Sequence, residues 1–539
     1  MTHEFKFILP EEEFASEILA LLKARDRIGA FSVLRREQEQ IRDVYYDEVD
    51  AATMTLTLAA RSVACRLRRR QSLRVIEVKS RIIREQEYPH YDTREFWAPS
   101  GETPNEPGED VLAHLRETLG VSRLGLQRMC CLRNDRETLV LARHSGGPTL
   151  SLHLDAFRVE DDFGIRLGEL HEIELVSESA SLVAEASELL TSSFRLVKIR
   201  RSKLENFAAA VSQRYGQQSL WLDTDTGVDD ALALLLALRS PDLCQVLGVS
   251  AVSGNVPARQ ASANNARILH YASASAIPLC IGPGEIARGE PHTAQNVHGT
   301  DGMGDIRRHL GTFRPREPMP LLEIFPGIIQ QQAPHSVVLV TTGPLTNVAT
   351  LVRECPEALC RLRRMVHMGG AFAEAGNRHP SVEFNIAADP QSAIDVLRFC
   401  RERHLPHAFV PLDVTHRVVL EQRPLVARAQ QGDARAEFLV DLTRPYMDFY
   451  HRNQALNGCP IHDAMAVGFV LWPELFVSDT YHVEIAGPGA GDFAGTTVAD
   501  FRPTRLYRQA AREITEIALR VDRLELRKRL LERLLGAGA

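Results

Sequence analysis

The stretch LWLDTDTGVDDALALLLAL, Leu220 to Leu238, sets four carboxylates, Asp223, Asp225, Asp229 and Asp230, within eight positions and follows them with an unbroken apolar run. Asp223 and Asp225 are two apart, so on an extended strand they share a face, while Asp229 and Asp230 open a helix, where the macrodipole favours negative charge. Capping that helix needs only one of them. Four carboxylates crowded at the carboxyl end of a strand repel one another, an arrangement with a use when a hard cation or several ligand hydroxyls sit among them. In open α/β sheets this edge is also where ligands bind. The stretch is therefore expected to be a site.

The elements around it must position it. With 539 residues, 44% hydrophobic and 25% charged, the chain is too long for one core, and two domains are expected. A domain at 1–211, a linker at 212–218 within the polar SQRYGQQS and a domain at 219–539 follow from a change of pattern. The first domain carries arginine-punctuated, alternating segments such as SVACRLRRRQ, SLRVIEVKS and LHEIELVS, which predict antiparallel strands with two different faces. The second alternates apolar strands with helices (QVLGVSAVSG then ARQASANNARILHYA; SVVLVTTGP then LTNVATLVREC), which predicts a mainly parallel α/β sheet. No internal repeat breaks either half.

Composition excludes some functions. A net charge of -7 argues against a nucleic-acid partner, and nine cysteines without metal-ligand spacing read as reduced, buried thiols. The amino end, MTHEFKFILPEEEF, reads as neither signal nor transit peptide, and no 18-residue apolar stretch is long enough to span a membrane. A cytoplasmic protein without a membrane partner is the expectation.

Seven ordered motifs then carry a resemblance over residues 219–535. DTDTGVDDALALLLAL, SGN at 253–255, HGTDGMG at 298–304, TTGPLTNVA at 341–349, MGGAF with GN at 368–377, EFNIAADP at 383–390 and HDAMAV at 462–467 resemble the inosine-uridine-preferring nucleoside hydrolases. The resemblance implies a Rossmann-like fold, a homo-oligomer (dimer or tetramer), and calcium-dependent hydrolysis of a ribonucleoside to ribose and free base. It implies that Asp225, Asp230, Asp463 and the carbonyl of Thr342 hold calcium, a mixed oxygen set of the kind that ion prefers. Asp225 would also deprotonate the attacking water. By the same resemblance Asp229 and Asn385 grip the ribose 2′- and 3′-hydroxyls, Asn377 and Glu383 lie at the 5′-hydroxyl, and Asn255 is a further sugar contact. His298 lies beside the base, and His462 is a candidate acid for the leaving base, in the manner of a histidine titrating near neutrality. Such a carboxylate-rich floor suits a reaction that builds positive charge on the sugar. Thr226 stands where the family pattern has proline, which predicts slightly looser metal binding.

The first half offers shorter landmarks. EFKF at 4–7, YYD at 45–47, CRLRRR at 65–70, VIEVKS at 75–80, HEIEL at 171–175 and RRSKLENF at 200–207 resemble the triphosphate tunnel fold of the CYTH and VTC-type polyphosphate-polymerase proteins, an antiparallel β-barrel with a charged lumen. Arg66 and Arg68 are two apart on one strand face, and Lys79 follows on the next strand. With Lys6, Arg133, Lys198 and Lys203 they would give a triphosphate, nucleotide or polyphosphate several cationic partners. Glu4, Glu172 and Glu174 would hold magnesium or manganese opposite them. Thr2 occupies the place of the first signature glutamate, which leaves catalysis by this half open against binding alone. The alternative for the whole chain is a phosphohydrolase, or a polyphosphate or nucleotide sensor centred on this half that gates the hydrolase.

Overall fold

The computed structural model describes residues 3–8, 18, 20–47, 49–50, 55–56, 63–70, 73–82, 90–96, 109–119, 127–143, 147–161, 166–193, 196–199, 217–283, 294–304, 306–309, 313–501 and 515–536. They fall into two compact units, one up to residue 215 and one from 216 onward. Most of the expected linker lies outside the described residues, and its last residue, Gln218, already opens a strand.

The second unit is built on a nine-stranded sheet. In spatial order its strands are Met319–Pro320, Leu279–Ile281, Cys244–Ala251, Gln218–Thr224, Val337–Thr341, Arg364–Met368, His407–Val410, Thr515–Val521 and Phe476–Tyr481. All neighbours are parallel except the last pair. Strand residues alternate between two cores. Leu220, Leu222, Val338, Val340 and Val366 join one, while Trp221, Val337, Leu339 and Met365 join the other, as a sheet covered on both faces requires. The helix Val228–Leu238 is enclosed along nearly its whole length, so its leucines face protein on every side. Each such leucine contributes about 1.5–3 kcal/mol on burial. That helix can therefore anchor unfavourable groups at its first turn.

Among the described residues the main sheet of the first unit is an antiparallel half-barrel of ten strands. Its order is Val197–Ile199, His3–Ile8, Arg166–Ser177, Thr149–Asp161, Gln127–Ala142, Phe31–Asp47, Val63–Arg70, Leu73–Ile82 and His90–Phe96, with Arg27–Ile28 paired to Phe31–Asp47. The two end strands are not paired with each other among the described residues, so closure into the expected barrel is not seen there. One face packs Phe7, Leu139, Leu141, Leu152, Leu154, Ile173 and Leu175 against Val183, Ala186 and Leu190 of the helix Ala180–Ser193. The other face carries the charges. No helix among the described residues is long and apolar enough to cross a membrane.

Candidate active site

The strand Gln218–Thr224 ends before the second of its aspartates, and this separates the pair that an extended strand would have kept on one face. Asp223 still lies in the ladder, where Ser250 Oγ and Asn347 Nδ2 donate to its Oδ1, so it braces the neighbouring strand Cys244–Ala251 and the helix Thr346–Glu354. Asp225 lies in the turn that follows. Its Oδ2 accepts the Asn255 amide at 2.6 Å, and Gly254 fits there because a Cβ would stand 2.0 Å from that oxygen. Asp230 folds back over the same turn: Gly227 N donates to its Oδ2 at 2.8 Å, Asn255 Nδ2 to the same oxygen at 3.1 Å, and Thr342 Oγ1 to its Oδ1 at 2.6 Å.

Asp463 arrives from the start of the helix His462–Leu471, and one oxygen each of Asp229, Asp230 and Asp463 lies within 4.8 Å of the others. All are buried, Asp225 among them. Burial, then the charge of Asp230, pushes the Asp225 carboxyl well above its ordinary value, and the same two causes lift Asp229 to about 7. Asp463 is raised well above the ordinary value by burial and then by Asp229, Asp230 and Asp225. Asp225 Oδ1 and Asp229 Oδ1 are buried with no hydrogen-bond donor among the described residues. Oxygens left in this state, with no cationic side chain against them, fit a hard divalent cation. The Thr342 carbonyl accepts Asn385 Nδ2 at 2.8 Å, which leaves its second lone pair for the same purpose.

The remaining residues arrange themselves around this floor. Asn385 also donates to the Met368 carbonyl at 3.2 Å. Glu383 caps the short helix Phe384–Ala388, accepting the amides of Asn385, Ile386 and Gly370; burial lifts its carboxyl to about 7. Asn377 is exposed and accepts the Phe384 amide at 2.8 Å, so in this structure it ties its loop to that helix. His298 Nδ1 accepts the Val228 amide at 3.0 Å, which puts its ring proton on Nε2, and burial lowers its pKa to about 3.

His462 differs from a histidine that titrates near neutrality. It is 5% exposed, and burial followed by His416 and His298 holds it well below the ordinary value. Thr415 Oγ1 lies 2.8 Å from its Nδ1 and Tyr450 Oη 3.2 Å from its Nε2.

Sequence reasoning did not single out Thr415, Tyr446 or Tyr450. Tyr446 donates to Asp229 Oδ2 at 3.2 Å and stacks on His298 with ring centroids 4.8 Å apart. Its only signal was the spacing of Tyr446 and Tyr450 on the helix Ala434–Gln454, which core aromatics share.

The sequence profile described as inosine-uridine preferring nucleoside hydrolase matches residues 220–528. The chain belongs to this family. The non-specific ribonucleoside hydrolase RihC of Escherichia fergusonii is 34% identical over 52% of this chain and 88% of its own length. The pyrimidine-specific ribonucleoside hydrolase RihA of Klebsiella pneumoniae is 32% identical over 56% and 94%. Among solved structures, the plant nucleoside hydrolase PpNRh1 superposes with a TM-score of 0.54 at 25% identity, covering 59% of this chain and 99% of its own. The purine-preferring ribonucleoside hydrolase of Gardnerella vaginalis gives 0.52 at 26%, covering 59% and 98%.

The first unit gathers charge differently from expectation. Arg136 donates to Asp155 at 2.7 and 2.6 Å and to Glu174 at 2.6 Å, and Lys6 lies 3.5 Å from Glu174. Burial opposes the Arg136 charge, but Glu174 and Asp155 outweigh it and raise the guanidinium pKa. Glu172 joins Glu174 and Asp155 in one acidic group. Arg136 was missed because Arg133 was chosen from the same charged run, RNDRE, and Asp155 because it is one acid in the strand TLSLHLDAFRVED. The register carries this face to Arg66 and Arg68 through Asp43 and Tyr45, and on to Lys79 through Ala64. It does not include Arg133, which is an odd number of residues from Arg136 and faces the other way, exposed. Lys198 pairs with Phe7, not Lys6, and so also falls on the other face. Of Glu4, Arg66, Arg68, Lys79 and Lys198 only the strand backbone is described, and Lys203 lies outside the described residues.

The raised carboxyls make a stability prediction for metal-free protein. Asp229 and Glu383, with folded values about 7, hold protons that the unfolded chain releases near pH 4. The stability they contribute is therefore present at low pH and is lost as pH rises through about 7. The melting midpoint of chelator-stripped protein should fall between about pH 4 and pH 7 and level off above that, and Asp229→Asn should flatten part of that fall. An identical slope in the variant would remove Asp229 from this account.

Proposed function

We propose that the second unit cleaves the N-glycosidic bond of ribonucleosides with calcium as its cation. The observation that carries this is the buried cluster of Asp229, Asp230 and Asp463 with buried Asp225 beside it, a group in which two carboxylate oxygens lack donors among the described residues. Asp225, Asp230, Asp463 and the Thr342 carbonyl would hold the ion, whose chemistry when bound is to grip the sugar diol and lower the pKa of the attacking water. Asp225 Oδ1 is then the base that takes the water's proton. Asp229 Oδ1 and Asn385 orient the ribose hydroxyls, while Asn255 steadies Asp225 and Asp230 from the sugar side. Glu383, fixed by three amides, marks the 5′ end together with Asn377. The negative floor favours the positive charge that develops on the sugar as the bond breaks.

His298 presents Nε2–H at the base side, braced by Tyr446. His462, which burial holds neutral, must first take up a proton to serve as the acid: solvent supplies it as charge builds on the leaving base, His462 passes it on, and Tyr450 and Thr415 hold the ring in place. His462→Ala should therefore slow inosine about 100-fold, the lower range of general acid catalysis, and slow nitrophenyl riboside far less, because that leaving group needs little protonation. Equal losses on both substrates would remove the acid role.

For the first unit we propose binding of a triphosphate-bearing ligand or polyphosphate, supported by the register that aligns Lys6, Arg66, Arg68, Lys79 and Arg136 on one face. Glu172 and Glu174, with Asp155, would hold magnesium or manganese beside it. Calorimetry of the full chain with tripolyphosphate and magnesium should give saturable heat that Arg66→Ala with Arg68→Ala abolishes. No heat in the parent protein would contradict this reading.

A further inference from the structure

The turn that carries Asp225 lacks the ring of a proline, and the structure shows what stands in its place. Thr226 is fully buried. Its amide donates to Thr224 Oγ1 at 3.1 Å, the two threonine hydroxyls lie 2.6 Å apart, and Thr226 Oγ1 donates to Asn265 Oδ1 at 2.8 Å. With the Asn265 amide in this orientation, each hydroxyl's single proton runs one way: Thr224 donates to Thr226, and Thr226 donates to Asn265. The preceding residue of the same helix, Asn264, is equally buried, and its Nδ2 donates to the Thr226 carbonyl at 3.0 Å and the Asp301 carbonyl at 2.8 Å. Gln260 and Arg267 hold the Asn264 oxygen at 2.9 and 2.8 Å, which fixes the amide's orientation.

Two loops of the site thus meet on one helix, Ala258–Tyr271. One bears the metal carboxylates. The other, 298–304, bears His298, and the Val228 amide joins the two a second time through His298 Nδ1. We infer that Thr226, Asn264 and Asn265 are positioning residues that set the cation-binding turn against the base-side loop, so that metal affinity and base recognition share one buried clamp. None of the three touches the expected ion or the sugar. Thr226 acts on Asp225 through the turn, and Asn264 acts on His298 through Asp301. The inference rests on the calcium-dependent reading of the site.

The test is calcium titration of chelator-stripped, full-length protein by calorimetry, for the parent, Thr226→Ser, Thr226→Val and Asn265→Leu. Thr226→Ser keeps the hydroxyl and should bind within about twofold of the parent. Thr226→Val is isosteric but leaves Thr224 without an acceptor and Asn265 without a donor, and should weaken calcium about tenfold or more, the scale of a buried hydrogen bond left unmade. Asn265→Leu removes the acceptor from the other end and should weaken calcium similarly, which keeps the idea testable should the valine variant not fold. At saturating calcium, Asn264→Ala should raise KM for nucleosides and change the ratio of inosine to uridine turnover, a split that general loss of stability does not produce. Valine and leucine variants that bind calcium like the serine variant would overturn the clamp. Absence of calcium binding in the parent would overturn the metal reading instead.

Discussion

Buried like charge is the constraint on which the second unit depends. Asp225, Asp229, Asp230 and Asp463 sit in a protein interior with no lysine or arginine against them among the described residues, and the effective penalty for each buried ion is several kcal/mol. Without a cation the group lowers that cost by holding protons, which is why Asp225, Asp229 and Asp463 are all raised. With a cation, on the proposed reading, the same carboxylates would become its ligands. The enclosed helix Val228–Leu238 tolerates the strain because its leucines are buried on every side, and Gly254 is required because any side chain would strike Asp225.

The same constraint organises the polar residues around the floor. Asn255, Thr342 and Asn385 each spend a donor on a site oxygen, and Asn264 and Asn265 hold the turn that delivers Asp225. Electrostatic preorganisation of this sort costs nothing at the moment of reaction, because the donors are already aimed. His298 and His462 follow from burial too: both are neutral, and what each can donate is set by its partner at the other ring nitrogen.

Much of this was legible in the sequence because the chemistry is local. DTDTGVDD places Asp225, Asp229 and Asp230 on a strand end and a helix start, and HDAMAV brings Asp463 in at another helix start. The parallel sheet was readable from alternating apolar segments. What could not be read were contacts across sequence-distant elements: Tyr446 on Asp229, Thr415 and Tyr450 on His462, and the separation of Asp223 from Asp225 by the end of the strand. In the first unit, alternation showed that two faces existed but not which arginine fell on which. Register decided that, placing Arg133 away from Arg136 and Lys198 away from Lys6.

The central claim is that the carboxylate group works only around a cation. The most direct measurement is chromatography of free bases released from inosine and uridine by full-length protein, first as purified, then after chelation, then after calcium is returned. The account predicts base release that disappears on chelation and returns with calcium in the parent, and that does not return in Asp463→Ala although the variant remains folded. Undiminished base release after chelation, or full activity in Asp463→Ala, would contradict it.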